Sequence, residues 1–329
     1  MSDNSEKLTI KDIAKALNLS TTTISRALSG NGRVPEKTCQ LVRKYCEQHN
    51  YVPSKIAQSL ALSKTYNIGW IIPEKQNDLL FFQKSLMAIC DIAMKNEYDI
   101  IPIMTRNGDD LSHIKRVVGN RKIDGVIISQ PYIQDKRITY FKEIGLPMVV
   151  IGSVPDESIP QVDTDIYHAT VEFMGMLLRR IDGKVAYISG DKELTVNERR
   201  GNGVREAEKV TGHCCIAKYY TNGNTTTHLV KKCVEEGVKL IVCADDDICM
   251  SVITSLRKNN LNYPDDIKLA SLYAGDNLQD RVTNISSIKT DPHKTGTIAA
   301  KMLLDIIEGR ETEKNVSIPY EVIFSSSTR

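Results

Sequence analysis

From Tyr66 onward the chain repeats one theme: short apolar runs separated by amphipathic stretches. The runs cover 67–73 (NIGWIIP), 100–104, 125–129, 148–151, 185–189, 240–243 and 267–272, and helical spacing fills 82–95, 168–180, 226–236 and 248–258. A strand, a helix and another strand at intervals of roughly 25 to 30 residues means parallel strands joined by crossover helices. There are too many such units for one doubly wound sheet. The economical arrangement is an α/β body of two lobes, each with a parallel sheet, and a ligand cleft at the carboxyl ends of the strands.

The first fifty residues have a different period. Thr9 precedes an apolar pattern at Ile10, Ile13, Ala14 and Leu17, with Asp12 placed to complete a capping box. Asn18 then falls where a left-handed residue is needed. Ser20 is the N-cap of a second helix, which turns Ile24 and Leu28 inward and Thr21, Thr22, Ser25 and Arg26 outward. A third amphipathic helix follows with Pro35 as its first residue and Val34, Thr38, Leu41, Val42, Tyr45 and Cys46 as its inward positions. Three short helices with a tight turn between the first two make a helix-turn-helix unit, whose second helix enters a major groove. Short hydroxyls and a guanidinium at that helix's amino end suit base edges and phosphates.

Charge supports the same division. Residues 1–62 hold nine Lys or Arg against five Asp or Glu, a net of +4 in a 329-residue chain whose total is +2. A basic head therefore sits on a nearly neutral body, and one phosphate-binding surface follows. No apolar run approaches the roughly 20 residues of a membrane span, and 1–7 has no apolar core of a signal peptide. The expected location is cytoplasmic, with no membrane partner. The eight cysteines, none in a C-x-x-C pair, are then expected to be reduced packing residues.

"LTIKDIAKALNLSTTTISRALSGNGRVPEKT" resembles the head of the lactose-repressor/galactose-repressor (LacI/GalR) family, with Thr9, Asp12, Ala14, Ser20, Thr23, Ser25, Arg26 and Val34 on matching positions. Asn18 replaces the usual turn glycine. The resemblance implies that Thr21, Thr22 and Arg26 read bases, that Ser20, Thr23 and Ser25 hold phosphates, and that Thr9 joins the DNA-contact set. Arg26 against a guanine would discriminate by about 1–3 kcal/mol. "YVPSKIAQSLALSKT" resembles the family's hinge helix, with Lys55, Ala57 and Leu60 facing the minor groove. An apolar wedge there would unstack a base step and bend the duplex.

Further on, "RGNGVREA", "VCADDDI" and "SSIKTDPHKTGTIAAKMLLDIIEGR" resemble the family's effector domain, a periplasmic-binding-protein-like pair of lobes. The implied domains are a helix-turn-helix head (1–52), a hinge helix and linker (53–65) and an effector-binding and dimerisation body (66–329). The N-lobe would take about 66–162 and 290–317, the C-lobe about 163–289 and 318–329. The resemblance places Phe81, Phe82, Asp165, Arg200, Tyr220, Asp245 and Tyr273 around a small-molecule effector, a sugar or related metabolite. Tyr273 stands where the family has an aspartate and Asp245 where it has an asparagine, so a typical pyranose contact set is broken. The partners implied are double-stranded operator DNA, the effector and a second copy of the chain, and the activity is that of an effector-controlled repressor.

Other classes find little in the sequence. Gly201-x-Gly203 lacks the preceding strand and third glycine of a dinucleotide fingerprint. There is no G-x-S-x-G or Walker loop, and the 245–247 acidic run has no companion His, so no catalysis, metal or cofactor is expected. That run reads as an acidic helix N-terminus, which the helix dipole favours. A transport solute-binding protein would share the lobes but not the basic head.

Overall fold

The structure is a computed structural model that describes residues 8–29, 33–49, 51, 64–73, 79–213, 216–221, 226–275, 278 and 284–329. The chain divides into two compact units, Met1–Thr65 and Tyr66–Arg329.

The first unit contains α1 (Ile10–Ala16), α2 (Thr21–Ser29) and α3 (Glu36–Gln48). Asn18 adopts φ 51° and reverses the chain between α1 and α2, a conformation Asn accepts at lower cost than most side chains. Ile13 and Ala14 from α1, Ile24 and Ala27 from α2, and Cys39, Val42 and Cys46 from α3 close one small core. Two expectations change here. Leu41 is 49% exposed because the inward stripe of α3 runs through 39, 42 and 46. Pro35 is the N-cap of α3 rather than its first residue, and its carbonyl accepts from the amides of Thr38 and Cys39.

The second unit holds two six-stranded sheets. One runs in the order β11 (Asn315–Ile318), β5 (Gln161–Thr164), β4 (Met148–Ile151), β3 (Gly125–Ser129), β1 (Asn67–Pro73), β2 (Asp99–Thr105) and is parallel throughout. The other runs β12 (Glu321–Ile323), β10 (Ser286–Lys289), β9 (Lys268–Ser271), β8 (Val238–Cys243), β6 (Lys184–Ser189), β7 (Ile216–Tyr220). Only its β10–β12 pair is antiparallel. Helices α4 (Leu79–Lys95), α5 (Ser112–Gly119), α6 (Lys136–Glu143) and α11 (Pro292–Ile307) cover the first sheet. Helices α7 (Ile166–Leu178), α8 (Thr195–Thr211), α9 (Thr226–Glu235) and α10 (Asp246–Lys258) cover the second. The chain passes between lobes three times: from β5 into α7, from β10 into α11, and from β11 into β12.

Central strands buried on both faces are apolar over their covered length, which is why β1, β3, β4 and β8 from Leu240 onward stand out as continuous runs. Two glycines let helices touch. A Cβ on Gly203 of α8 would lie 2.8 Å from the Tyr167 carbonyl of α7, and one on Gly296 of α11 would lie 2.5 Å from the Ser85 carbonyl of α4. The cysteines among the described residues are free thiols, while the Cys214–Cys215 pair lies outside them.

Candidate nucleic-acid interface and ligand cleft

In the head, local hydrogen bonds set which polar groups face outward. The Thr9 amide donates to Asp12 Oδ2 at 2.9 Å and the Asp12 amide to Thr9 Oγ1 at 3.4 Å, closing a capping box at the start of α1. These bonds from Thr9 hold the Asp12 carboxyl below its ordinary pKa. Thr9 is thus an N-cap, and contact with a phosphate would come in addition to that role.

Ser20 Oγ accepts from the Thr23 amide at 3.0 Å and lies 2.8 Å from Thr23 Oγ1, so both hydroxyls are engaged in opening α2. Thr21, Thr22, Ser25 and Arg26 are exposed along the same helix. No acidic residue occupies its first turn, which leaves the positive end of the helix dipole for an anion from outside. Lys55, Ala57 and Leu60 lie outside the described residues.

In the body, a cavity of about 70 Å³ opens between the lobes. Phe81, Ile151 and Asp163 line it from the first lobe, and Val196, Arg200 and Tyr273 from the second. Phe81 and Tyr273 meet edge-to-face with centroids 6.1 Å apart, an aromatic contact that spans the lobes. Gln130, Thr195 and Thr290 add polar groups to the same wall. A short main-chain staple joins the lobes beside the cleft. The Ile133 amide donates to the Glu193 carbonyl at 2.9 Å and the Thr195 amide to the Pro131 carbonyl at 3.1 Å, on either side of an antiparallel bridge between Tyr132 and Leu194.

Arg200 is only 5% exposed. Its Nη1 donates to Asn197 Oδ1 at 3.3 Å, and its Nε has no partner. Asp163 accepts from Ser153 Oγ at 2.8 Å and from the Thr164 amide at 2.8 Å. Burial nevertheless raises its pKa, against the pull of these bonds and of Arg199 and Arg200.

The remaining sequence candidates do not line the cleft. Phe82 is 2% exposed and packs on Trp70 in the first lobe's core, because successive residues at the start of α4 point in different directions. Asp165 is the N-cap of α7, accepting from the His168 amide at 3.2 Å and lying 2.6 Å from His168 Nδ1. Burial would raise its pKa, but the His168 bonds and the Arg199 charge outweigh that and hold it low. Tyr220 is 51% exposed at the end of β7.

Asp245 caps α10 through the Ile248 amide at 2.8 Å. Two residues on, Asp247 borders a separate 490 Å³ cavity walled by Thr221, Thr227, Ser251 and Thr254. Burial and the neighbouring Asp245 push Asp247 up to about 6.

Sequence reasoning missed Asp163, Thr195 and Thr290. The signal for the first was present in "VDTD": period two puts 163 and 165 on one side of a strand, and the second Asp is consumed as a cap where the helix begins.

Comparison with known proteins agrees with both units. Residues 9–54 match the family model for bacterial regulatory proteins of the lacI family, and 65–327 match that for periplasmic binding proteins and the sugar binding domain of the LacI family. The HTH-type transcriptional regulator pepR1 of Lactobacillus delbrueckii subsp. lactis is 28% identical, covering 99% of each chain. Catabolite control protein A of Priestia megaterium is 26% identical, covering 98% of this chain and 99% of its own. Among solved structures, a Lac repressor dimer bound to operator and the anti-inducer ONPF superposes with a TM-score of 0.83 at 19% identity, over 98% of this chain and 99% of that one. Head and body together leave one assignment: this chain belongs to the LacI family of bacterial regulatory proteins.

Proposed function

We propose that the protein represses transcription as a homodimer: its two α2 faces hold the halves of a pseudopalindromic operator, and a small-molecule effector in the interlobe cleft changes that grip. The observation that carries the reading is the joining, in one chain, of an exposed hydroxyl-and-arginine helix face to a two-lobed body with an under-bonded buried cation in its cleft. Relatives support it: one solved neighbour is a transcriptional regulator in complex with cellobiose, and another a repressor dimer on its operator.

In this reading Thr21, Thr22 and Arg26 read bases while Ser20, Thr23, Ser25 and Thr9 steady the backbone. Lys55, Ala57 and Leu60 enter the minor groove. Phe81, Asp163, Arg200 and Tyr273 contact the effector. The switch works only through unequal affinity of the effector for two lobe arrangements, since equal affinity shifts nothing.

A second copy has a natural seat on α4 and the edge strand β2, where Met87, Met94 and Met104 are 60%, 68% and 49% exposed. Large exposed apolar side chains beside an unpaired strand edge favour association. No helix among the described residues is long and apolar enough to cross a membrane, in keeping with action on DNA in the cytoplasm.

Genomic binding-site mapping, followed by titration of the purified chain on the recovered sites, tests the core of the reading. A preference for two-fold duplex sites, falling steeply with salt as counterions are released, is expected. No preference over random duplex, with or without metabolites, would overturn it. Met94→Glu with Met104→Glu should yield monomers that lose operator affinity, and Leu60→Ala should weaken binding if 53–65 supplies the wedge.

A further inference from the structure

The cleft places an under-bonded guanidinium and a carboxylate around one small space. Arg200 and Asp163 are the charged residues among those lining it. No carboxylate among the described residues comes within ion-pair distance of Arg200, whose Nη1 donates to the neutral Asn197. Its Nε–H and the Thr290 hydroxyl are both buried without partners. A buried donor left unmade is costly, and more so on a charged group. Such a group calls for an acceptor from outside the chain, whether a water or a ligand.

The chemistry of that acceptor follows from the surroundings. The Nε and Nη edge of a guanidinium presents two parallel N–H bonds that match a carboxylate. A phosphate dianion fits poorly: among the described residues of the lining Arg200 is the one cation, and the second negative charge of a dianion would add to the repulsion from Asp163. Asp163 already accepts from Ser153 and Thr164, and an ionised carboxylate has lone pairs to spare for a ligand hydroxyl. Its raised pKa is consistent with a site where a hydroxyl or a proton is welcome. The edge-to-face rings of Phe81 and Tyr273 offer carbon surface to the rest of the ligand. A volume of 70 Å³ gives room for roughly five or six water-sized groups.

We propose that the effector is a small hydroxycarboxylate, its carboxylate forked on Arg200 and a hydroxyl on Asp163, rather than a neutral sugar or a sugar phosphate. This rests on the cleft being the effector site and adds the ligand's chemical class.

The test is calorimetric titration of the full chain with matched pairs: gluconate against glucitol, glucuronate against glucose, lactate against propane-1,2-diol, with glucose 6-phosphate as the phosphate arm. At least one acid is expected to bind at least about 30-fold more tightly than its neutral match. Arg200→Gln should weaken that acid on the order of 10- to 100-fold, the value of a hydrogen bond to a charged group. Arg200→Lys, which keeps the charge and loses the fork, should fall between. Thermal unfolding of each variant without ligand checks that it is folded.

Binding of a neutral compound as tightly as its acid, lost in Arg200→Gln, would overturn the class and leave the cleft reading standing. Tighter binding of the phosphate would overturn it likewise. Acid binding that Arg200→Gln leaves unchanged would overturn both the class and the cleft as its site. Failure of every acid would overturn the class, while operator binding is read independently by the DNA titration.

Discussion

Arg137 and Arg200 are both buried guanidiniums in the body, 1% and 5% exposed, and their surroundings treat them in opposite ways. Arg137 donates through Nε and Nη2 to the two Asp135 oxygens at 2.9 and 2.6 Å, through Nη1 to Thr105 Oγ1 at 2.8 Å, and again through Nη2 to the Gln130 carbonyl at 3.2 Å. The Tyr132 ring covers its face at 5.3 Å. Arg200 has one 3.3 Å bond to a neutral oxygen and an idle Nε. The first residue finishes its chemistry inside the fold, tying the loop after β3 to α6 and β2. The second is left incomplete where a cavity reaches it. Burial alone does not separate a charge satisfied within the fold from one left open; the count of its bonds does.

That contrast can be broken by mutation, and the largest effect belongs to Arg137. Arg137→Met strands the Asp135 carboxylate, which is itself buried, and should cost about 3–5 kcal/mol in urea or thermal unfolding. Adding Asp135→Leu should recover much of the loss, because removing both charges avoids the stranded one. Arg200→Met should do the reverse in the absence of ligand and gain about 1–2 kcal/mol, as an under-bonded charge leaves the interior. If Arg200→Met destabilises as much as Arg137→Met, the distinction between the two fails.

The smallest effect extends the comparison to carboxylates. Asp135 has a bidentate cation, whereas Asp247 is half-buried beside Asp245 and its pKa stands at about 6. An acid whose folded pKa exceeds its unfolded value weakens the fold above the folded pKa, and the penalty disappears below the unfolded one. Asp247→Asn should therefore gain about 1 kcal/mol at pH 7.5, a figure already discounted for solvent screening. The gain should fade as pH falls through 6 and vanish below about 4, read from unfolding midpoints across that range.

Much of the architecture was legible because it rests on continuous apolar runs. NIGWIIP and GVIIS can be little other than doubly covered strands, and they are β1 and β3. The head was legible because Thr9, Asp12, Asn18 and Ser20 each answer a local backbone demand without help from distant residues. Five strands were missed: QVDT, SSIK, NVSI and EVI are three or four residues long and lie at the lobe crossings, where pairing is set by long-range register, and IAKYY is an edge strand whose apolar signal is broken by Lys218. The cleft was legible only in part for a similar reason. Phe81 and Phe82 are equivalent in sequence, and only the packing of Phe82 against Trp70 leaves Phe81 to face the interlobe cavity. Asp163 and Asp165 differ locally only in that Asp165 opens a helix and is used up as its cap, which leaves Asp163 to line the cleft.

The staple at Pro131, Ile133, Glu193 and Thr195 is built chiefly of peptide groups, which every substitution except one to proline at Ile133 or Thr195 leaves in place. Residues lining the adjacent cavity can be exchanged one by one while the latch between lobes keeps its donors and acceptors. Under the proposed reading, the choice of ligand and the ease of opening are thus written in different atoms, and a lineage could revise what it senses without relearning how to move.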